Sequence, residues 1–158
     1  QRWREKLAKG LPPRPDGTLV WLHAVGLGEV LSLRGLITRM TAADPALSFL
    51  VTSGTATSAN VFAKNAPPRT IHAFLPLDAP SYRRRFLDHM RPELCAWAEQ
   101  ELWPGYVSDL ARRGIPQCLV AARMLEASFQ KHQRAASLYR DLYGALKGSF
   151  DKIADIYV

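Results

Sequence analysis

The chain has 158 residues, of which 47% are hydrophobic and 22% are charged. This length suits one domain, and a composition so rich in apolar residues excludes a chain that is disordered throughout. Lysine and arginine number 21 against 14 aspartate and glutamate residues, so the net charge at pH 7 is +7. Such an excess indicates an anionic partner, but charge alone does not distinguish nucleic acid, phospholipid and a phosphorylated substrate.

The sequence offers no pattern for export or for crossing a membrane. No stretch reaches the roughly 18 apolar residues that a spanning helix requires, and the charged residues 1–10 lack the apolar region of a signal peptide. Cys95 and Cys118 are too few for a disulfide framework and lie in apolar runs, so we predict buried thiols in a reducing compartment. The first residue is not Met and the chain ends on the apolar run 153–158, so we expect a longer parent protein.

In chain order, a basic and proline-rich lead-in occupies residues 1–17, which we predict as a frayed helix followed by a linker. The domain proper is expected over residues 18–158, where short apolar runs alternate with segments of helical spacing. Strands are predicted at 19–23, 47–52, 70–75, 94–98, 117–121 and 153–158. Helices are predicted between them at 29–40, 56–64, 81–90, 106–113 and 129–146.

This alternation predicts an α/β fold, a Rossmann-like parallel sheet of about six strands with helices on both faces. In such sheets ligands bind beyond the carboxyl ends of the strands. The polar and glycine residues that follow strands one, two, four and five should therefore line one crevice. They are His23, Gly26, Gly28, Glu29, Thr52, Ser53, Gly54, Thr55, Thr57, Glu99, Glu101 and Arg123.

Glu29 is the predicted catalytic residue. It falls in the first turn of a helix, where the helix dipole favours a carboxylate, and the glycines before it allow a ligand to come close. A carboxylate held there can act as a general base on a substrate hydroxyl. The alternative is an acidic residue that only complements the helix dipole.

The other candidate site residues also have structural alternatives. Residues 53–57 (S-G-T-A-T) could bind an anion at the start of the next helix or could simply cap that helix. Glu99 and Glu101, ahead of Trp103, could hold a substrate or orient Arg123, or they could form a structural salt bridge. The basic run 83–85 and the basic face of 131–147 are either solvated helix surface or an anion-binding surface.

The four histidines do not have the spacing of a metal site. His23, His72, His89 and His132 are not grouped with Cys, Asp or Glu as metal ligands would be, so we expect no metal. Residues 26–28 (G-L-G) lack the third glycine of a dinucleotide fingerprint and the lysine of a P-loop.

Several motifs together resemble one family, the 3-deoxy-D-manno-octulosonic acid (Kdo) transferases. Residues 21–30 (WLHAVGLGEV) are similar to its W-x-H-A-V-S-x-G-E segment, and 99–104 (EQELWP) to its E-x-E-L-W-P motif. Residues 50–57 (LVTSGTAT), 75–78 (LPLD), 112–116 (RRGIP) and 122–123 (AR) continue the resemblance in order. Departures occur at Gly26, where the family usually has Ser, at Gly105 and Ala121, where it has Asn, and at Leu125, where it has Ser.

The resemblance implies the N-terminal, acceptor-side domain of a two-domain GT-B glycosyltransferase. The family transfers Kdo from CMP-Kdo to lipid A with inversion and without a metal or other cofactor, and its catalytic base falls on Glu29. The resemblance also implies a C-terminal domain that binds CMP-Kdo and is absent from this chain. It implies a membrane anchor before residue 1. The protein is then expected to lie peripherally on the cytoplasmic face of the bacterial inner membrane, which is an anionic surface.

Two other functions are weighed against this one. A non-catalytic or divergent paralogue would bind anionic lipid or another acceptor, and the departures from the family motifs favour it. A nucleic-acid-binding Rossmann domain would also suit the charge. The chain lacks aromatic residues interleaved along a basic strip, so nucleic acid is not an expected partner.

Overall fold

The structure is a computed structural model that describes residues 2–64, 66–98 and 102–120. A 3-10 helix, Arg2–Leu7, precedes the first strand. Within the described residues the strands are β1 (Leu19–His23), β2 (Ser48–Ser53), β3 (Thr70–Phe74), β4 (Leu94–Ala98) and β5 (Gln117–Val120). The α-helices are α1 (Leu27–Ala43), α2 (Ala56–Lys64), α3 (Pro80–Met90) and α4 (Pro104–Arg112).

The strands form one parallel sheet in the order β3-β2-β1-β4-β5. Every residue of β1 and β2 is buried. Helices cover both faces of a parallel sheet, so the side chains on both sides of such a strand are mostly apolar. The predicted α/β, Rossmann-like parallel fold is confirmed. The predicted sixth strand at 153–158 and the helix at 129–146 lie outside the described residues.

Each face of the sheet carries its own hydrophobic core. Alternate residues of β1 point to opposite faces, so Trp21 belongs to one core and Leu22 to the other. The Trp21 core is completed by α3 and α4, where Phe86 and Tyr106 contact the Trp21 ring with centroids 5.2 and 5.6 Å away. The second core is completed by α1 and α2, through residues that include Ile37.

The two cysteines are buried thiols, as predicted. Burial raises the pKa of the Cys118 thiol to about 11 and that of Cys95 well above its usual value. Cys95 packs in the core beneath α3 and α4, whereas Cys118 packs in the core beneath α1 and α2. Because they lie on opposite faces of the sheet, the two thiols are not placed to form a disulfide with each other.

The prediction of a frayed N-terminal helix is wrong. The 3-10 helix packs along the edge strand β3, and the buried Glu5 carboxylate accepts a hydrogen bond from the Phe74 backbone N–H at 2.8 Å. Arg2 pairs with Glu5 at 2.6 Å and donates to the His72 carbonyl at 2.7 Å, while the Lys6 carbonyl accepts from the Leu77 N–H at 2.9 Å. Satisfying these edge-strand groups fixes a segment that its own sequence would leave loose.

Among the described residues, no helix combines the length and apolar character needed to cross a bilayer.

Candidate functional site

The candidate site lies at the carboxyl edge of the sheet, where the loops after β1 and β2 pack together. The Ala24 N–H donates to the Thr52 carbonyl at 3.0 Å, and the Ser58 hydroxyl at the start of α2 donates to the Val25 carbonyl at 3.3 Å. A Cβ on Gly54 would meet the Val25 side chain at 3.4 Å. The sheet order therefore brings the predicted residues of both loops to one place.

Glu29 is the third residue of α1 and its carboxylate is held by the backbone before that helix. Oε2 accepts hydrogen bonds from the N–H groups of Val25 at 2.9 Å and Gly26 at 3.1 Å. Gly26, the N-cap, has no side chain, so only the carboxylate half of a capping box is present. This contact orients the partly buried Glu29 and also serves the helix start, so it suits both interpretations of the residue.

The second oxygen of Glu29 faces the position of Gly26. A Cβ on residue 26 would lie 3.1 Å from Oε1, so glycine leaves space beside that oxygen. Among the described residues, Oε1 accepts no hydrogen bond, and nothing lies within 4 Å of a Cβ built on the exposed Gly28. A carboxylate with one anchored oxygen and one open oxygen can take a proton from a hydroxyl that approaches from this side.

The residues after β2 are partly occupied by structural contacts. Thr55 caps α2, since its hydroxyl accepts from the Ser58 N–H at 3.2 Å and contacts the Ser58 hydroxyl at 2.8 Å. The Ser53 hydroxyl lies 2.9 Å from Nε2 of His72 on β3. Contact of Ser53 or Thr55 with a substrate stays a prediction.

His23, the last residue of β1, is 1% exposed and has protein partners at both ring nitrogens. Nδ1 lies 2.8 Å from the Thr52 hydroxyl, and Nε2 lies 3.2 Å from Nε1 of Trp103. Burial, followed by the nearby Lys6 charge, lowers the pKa of His23 to about 4. The imidazole is therefore uncharged near neutral pH.

The turn that begins α4 is fixed from outside that helix. Asp78 accepts the Gly105 N–H at 3.0 Å, and Arg83 pairs with both Asp78 at 3.0 Å and Asp109 at 2.6 Å. A Cβ on Gly105 would overlap the Asp78 carboxylate and the Arg83 guanidinium, so a larger residue there requires these two side chains to move. Arg83 is thus neither solvated surface nor open to an external anion, and Arg85 donates to the Leu7 carbonyl at 3.0 Å.

Three of the predicted site residues, Glu99, Glu101 and Arg123, lie outside the described residues. Sequence reasoning missed Ser58 and Asp78, which hold the site together. Thr52 was among the predicted crevice residues, and its hydroxyl contacts Trp21 and His23. The position of Ser58 three residues after a capping threonine was a usable signal, and Asp78 ends the LPLD motif. Over the described parts of the chain, no three His, Cys, Asp or Glu side chains are grouped to hold a metal ion.

A parallel sheet in this order, with polar loops at its carboxyl edge, defines a Rossmann-like α/β domain. The family described as 3-deoxy-D-manno-octulosonic-acid transferase (kdotransferase) matches residues 1–152, and the chain belongs to this family. The resemblance found in the sequence motifs is thereby confirmed.

Named relatives agree with this assignment. The chain is 33% identical over 155 residues to a probable mitochondrial 3-deoxy-D-manno-octulosonic acid transferase of Arabidopsis thaliana, covering 98% of this chain and 34% of that protein. It is 32% identical to a 3-deoxy-D-manno-octulosonic acid transferase of Rickettsia bellii (89% of this chain, 33% of that protein) and 31% identical to one of Haemophilus influenzae (83% and 32%). The chain spans about a third of the length of these relatives.

Proposed function

We propose that this chain is the N-terminal, acceptor-binding and base-bearing domain of an inverting glycosyltransferase that moves Kdo from CMP-Kdo to lipid A. Family membership and the names of the relatives support Kdo transfer. The observation that carries the proposal is the Glu29 carboxylate at the carboxyl edge of the sheet, which is anchored through Oε2 and, with respect to the residues that the structure describes, open at Oε1.

In the proposed step, a hydroxyl of the lipid A acceptor approaches Oε1 of Glu29 from the side left free by Gly26. Its oxygen forms a bond to the anomeric carbon of Kdo while the bond from that carbon to the phosphate oxygen of CMP breaks. Glu29 receives the hydroxyl proton, and CMP leaves with the electron pair. Attack opposite the leaving group inverts the anomeric centre.

The remaining predicted residues, except His23, are assigned to substrate binding. Gly26 and Gly28 let the acceptor come close to the start of α1, and the exposed Thr55 offers a hydroxyl from the loop after β2. Ser53, the buried last residue of β2, is assigned to the same binding site. His23 is placed behind them, with both ring nitrogens engaged. The proposal also assigns substrate contacts to Glu99, Glu101 and Arg123.

The donor, CMP-Kdo, is proposed to bind mainly to a C-terminal domain of the same protein. The relatives that the chain matches are about three times as long as the matched part, which leaves room for such a domain. We propose no metal or other cofactor, because displacement of CMP with a carboxylate base needs none in this scheme.

We place the protein peripherally at the cytoplasmic face of a bacterial inner membrane, where lipid A synthesis would supply the acceptor. The net charge of +7 suits that anionic surface. Arg2, Lys6 and Arg14 contact the protein itself, whereas Arg4 and Lys9 are exposed and adjacent, with the Lys9 N–H donating to the Arg4 carbonyl at 3.0 Å.

The test is a transfer assay with CMP-Kdo and lipid A, run on the complete protein that contains this chain and on residues 1–158 alone. The complete protein should form Kdo–lipid A and release CMP. The chain alone should show no turnover, since acceptor and donor must be held together for reaction. Turnover by the isolated chain would contradict the two-domain scheme, and no transfer by the complete protein would contradict the proposed function.

A further inference from the structure

His23 ends β1 at the point where the chain enters the loop that holds Glu29, and its two ring contacts assign its tautomer. The Trp103 indole N–H can only donate, so Nε2 of His23 must be the acceptor at 3.2 Å. Nδ1 therefore carries the proton and donates to the Thr52 hydroxyl oxygen at 2.8 Å. The ring has no free nitrogen with which to bind a substrate.

Thr52 extends this contact into the core. Its hydroxyl oxygen also accepts from Nε1 of Trp21 at 2.8 Å. A buried chain of hydrogen bonds therefore runs from Trp21 on β1 through Thr52 on β2 and back to His23, and ends at the partly buried Trp103, which is 80 residues from His23 in sequence. Such a chain has one arrangement that satisfies all its members, so it holds the indole in one orientation.

The backbone at Trp103 is held separately from its side chain. Trp103 is the N-cap of α4, but its side chain does not cap the helix. Two residues further on, the Gly105 N–H donates a hydrogen bond to Asp78. Asp78 and Arg83 thus fix the turn, while His23 fixes the direction of the indole. The ring lies edge-on to His23, with centroids 6.3 Å apart.

We propose that His23 is a positioning residue, which fixes the indole of Trp103 as one wall of the acceptor site, beside the loop that holds Glu29. This inference rests on the proposed function. Glu29 keeps its own anchors on Val25 and Gly26, so the effect of His23 is on acceptor binding and not on the base. The general-base step is left intact when the indole is released.

The experiment is a double-mutant cycle in the complete protein with His23→Leu, Trp103→Phe and the double variant. Leucine fills most of the imidazole volume without ring nitrogens, and phenylalanine keeps an aromatic ring without the indole N–H. Each single change should raise the KM for lipid A about tenfold, the equivalent of one net hydrogen bond. The double variant should show no further rise, because both changes break the same contact. The kcat and its pH profile should stay within about twofold of the wild type.

Trp97→Phe is the matched control: it removes the hydrogen bond from Trp97 Nε1 to the Gln117 side chain at 3.0 Å and keeps an aromatic ring where Trp97 packs edge-on against His23, with centroids 5.6 Å apart. It should lower stability without changing the KM. Additive losses in the cycle, an unchanged KM in His23→Leu, or a loss confined to kcat would each overturn the positioning role.

A second measurement separates this inference from the proposed function. In protein labelled with ¹⁵N-tryptophan, the Trp103 indole N–H signal is identified by its disappearance in Trp103→Phe. It should shift and lose protection from exchange in His23→Leu, and should not do so in Trp97→Phe. If the wild type transfers no Kdo, the proposed function fails and this signal alone decides the coupling of His23 to Trp103. A Trp103 indole signal that is unchanged in His23→Leu would overturn the positioning role of His23.

Discussion

At the scale of single residues, the buried His23 and the half-buried His72 make the stability of the fold depend on pH. Burial lowers the pKa of both His23 and His72 to about 4 from 6.5. His23 faces Thr52, Trp103 and the charge of Lys6, and His72 faces Arg2, Glu5, Lys6 and Ser53. In each case the uncharged form is the one that the native structure accommodates.

The expected result is a loss of stability in acid. Between pH 6.5 and about 4 the unfolded chain takes up a proton at each histidine and the folded chain does not, so the free energy of unfolding falls as pH falls. The contribution of the two histidines to the free energy of unfolding is present almost in full above pH 6.5. From pH 7 to pH 5 the loss should be roughly 2 kcal/mol for each histidine. Urea unfolding across this range measures it.

His72→Gln isolates the histidine contribution from that of the carboxylates. The variant should lose about half of the histidine-dependent slope between pH 7 and pH 5. A slope equal to that of the wild type would show that His72 does not titrate as described.

At the scale of secondary-structure elements, the contact between α3 and the start of α4 depends on Gly105. A Cβ there would overlap the Asp78–Arg83 ion pair, whose side-chain ends would have to separate. Gly105→Ala should therefore lower the free energy of unfolding by roughly 1–2 kcal/mol, through loss of the Asp78 contacts. Thermal or urea unfolding gives the value.

Gly35 in α1 is the matched control for this change. It is exposed, and no atom of the described part of the chain lies within 4 Å of a Cβ built on it. Gly35→Ala should raise stability by about 0.5–1 kcal/mol, since alanine favours a helix interior. Equal effects of the two substitutions would show that Gly105 responds to helix propensity and not to the ion pair.

The strands and helices were predictable where the pattern that specifies them is local. Apolar runs such as Leu19–His23 and Leu94–Ala98 coincide with β1 and β4, because burial on both faces leaves a continuous signal. The sequence pattern predicts the start of α1 two residues late, because Gly26 is the N-cap and has no capping side chain that would mark the helix start. Glu29 lies in the first turn of α1, as its position in the sequence indicates, and its role as a base stays a prediction.

Contacts between distant parts of the chain were not predictable. Nothing near Glu5 indicates that its carboxylate meets the Phe74 N–H, and nothing near Arg83 indicates that Asp109 neutralises it. The same holds for His23, whose partner Trp103 lies 80 residues away. Such pairs depend on which edges and helices meet, and that is set by the whole sheet and not by local spacing.

At the scale of the whole molecule, the net charge of +7 supports the proposed contact with an anionic membrane. Arg4 and Lys9 lie together on the N-terminal segment, and the Lys6 carbonyl there bonds to the loop after β3 at the carboxyl edge. We expect the protein to co-sediment with anionic vesicles at low salt and to be released at high salt. Replacing Arg4 and Lys9 with Gln should weaken binding roughly 30-fold, at about 1 kcal/mol for each charge.

Arg39 and Lys64 form the control pair, because both are exposed and lie toward the carboxyl ends of α1 and α2, the opposite end of the molecule. Their replacement with Gln removes the same charge and should have a smaller effect. Equal loss in both variants would indicate attraction by overall charge without a membrane-facing side.

The central claim is that Glu29 is the general base, and Glu29→Gln in the complete protein tests it most directly. Glutamine keeps the size of the side chain and an oxygen that can accept from the Val25 and Gly26 amides, so the helix start and the fold should persist. It cannot take up the acceptor proton. The account predicts a fall in kcat of about 10²–10⁴-fold at an unchanged melting temperature. Wild-type turnover in a folded Glu29→Gln protein would show that Glu29 only completes the start of α1, and would contradict the account.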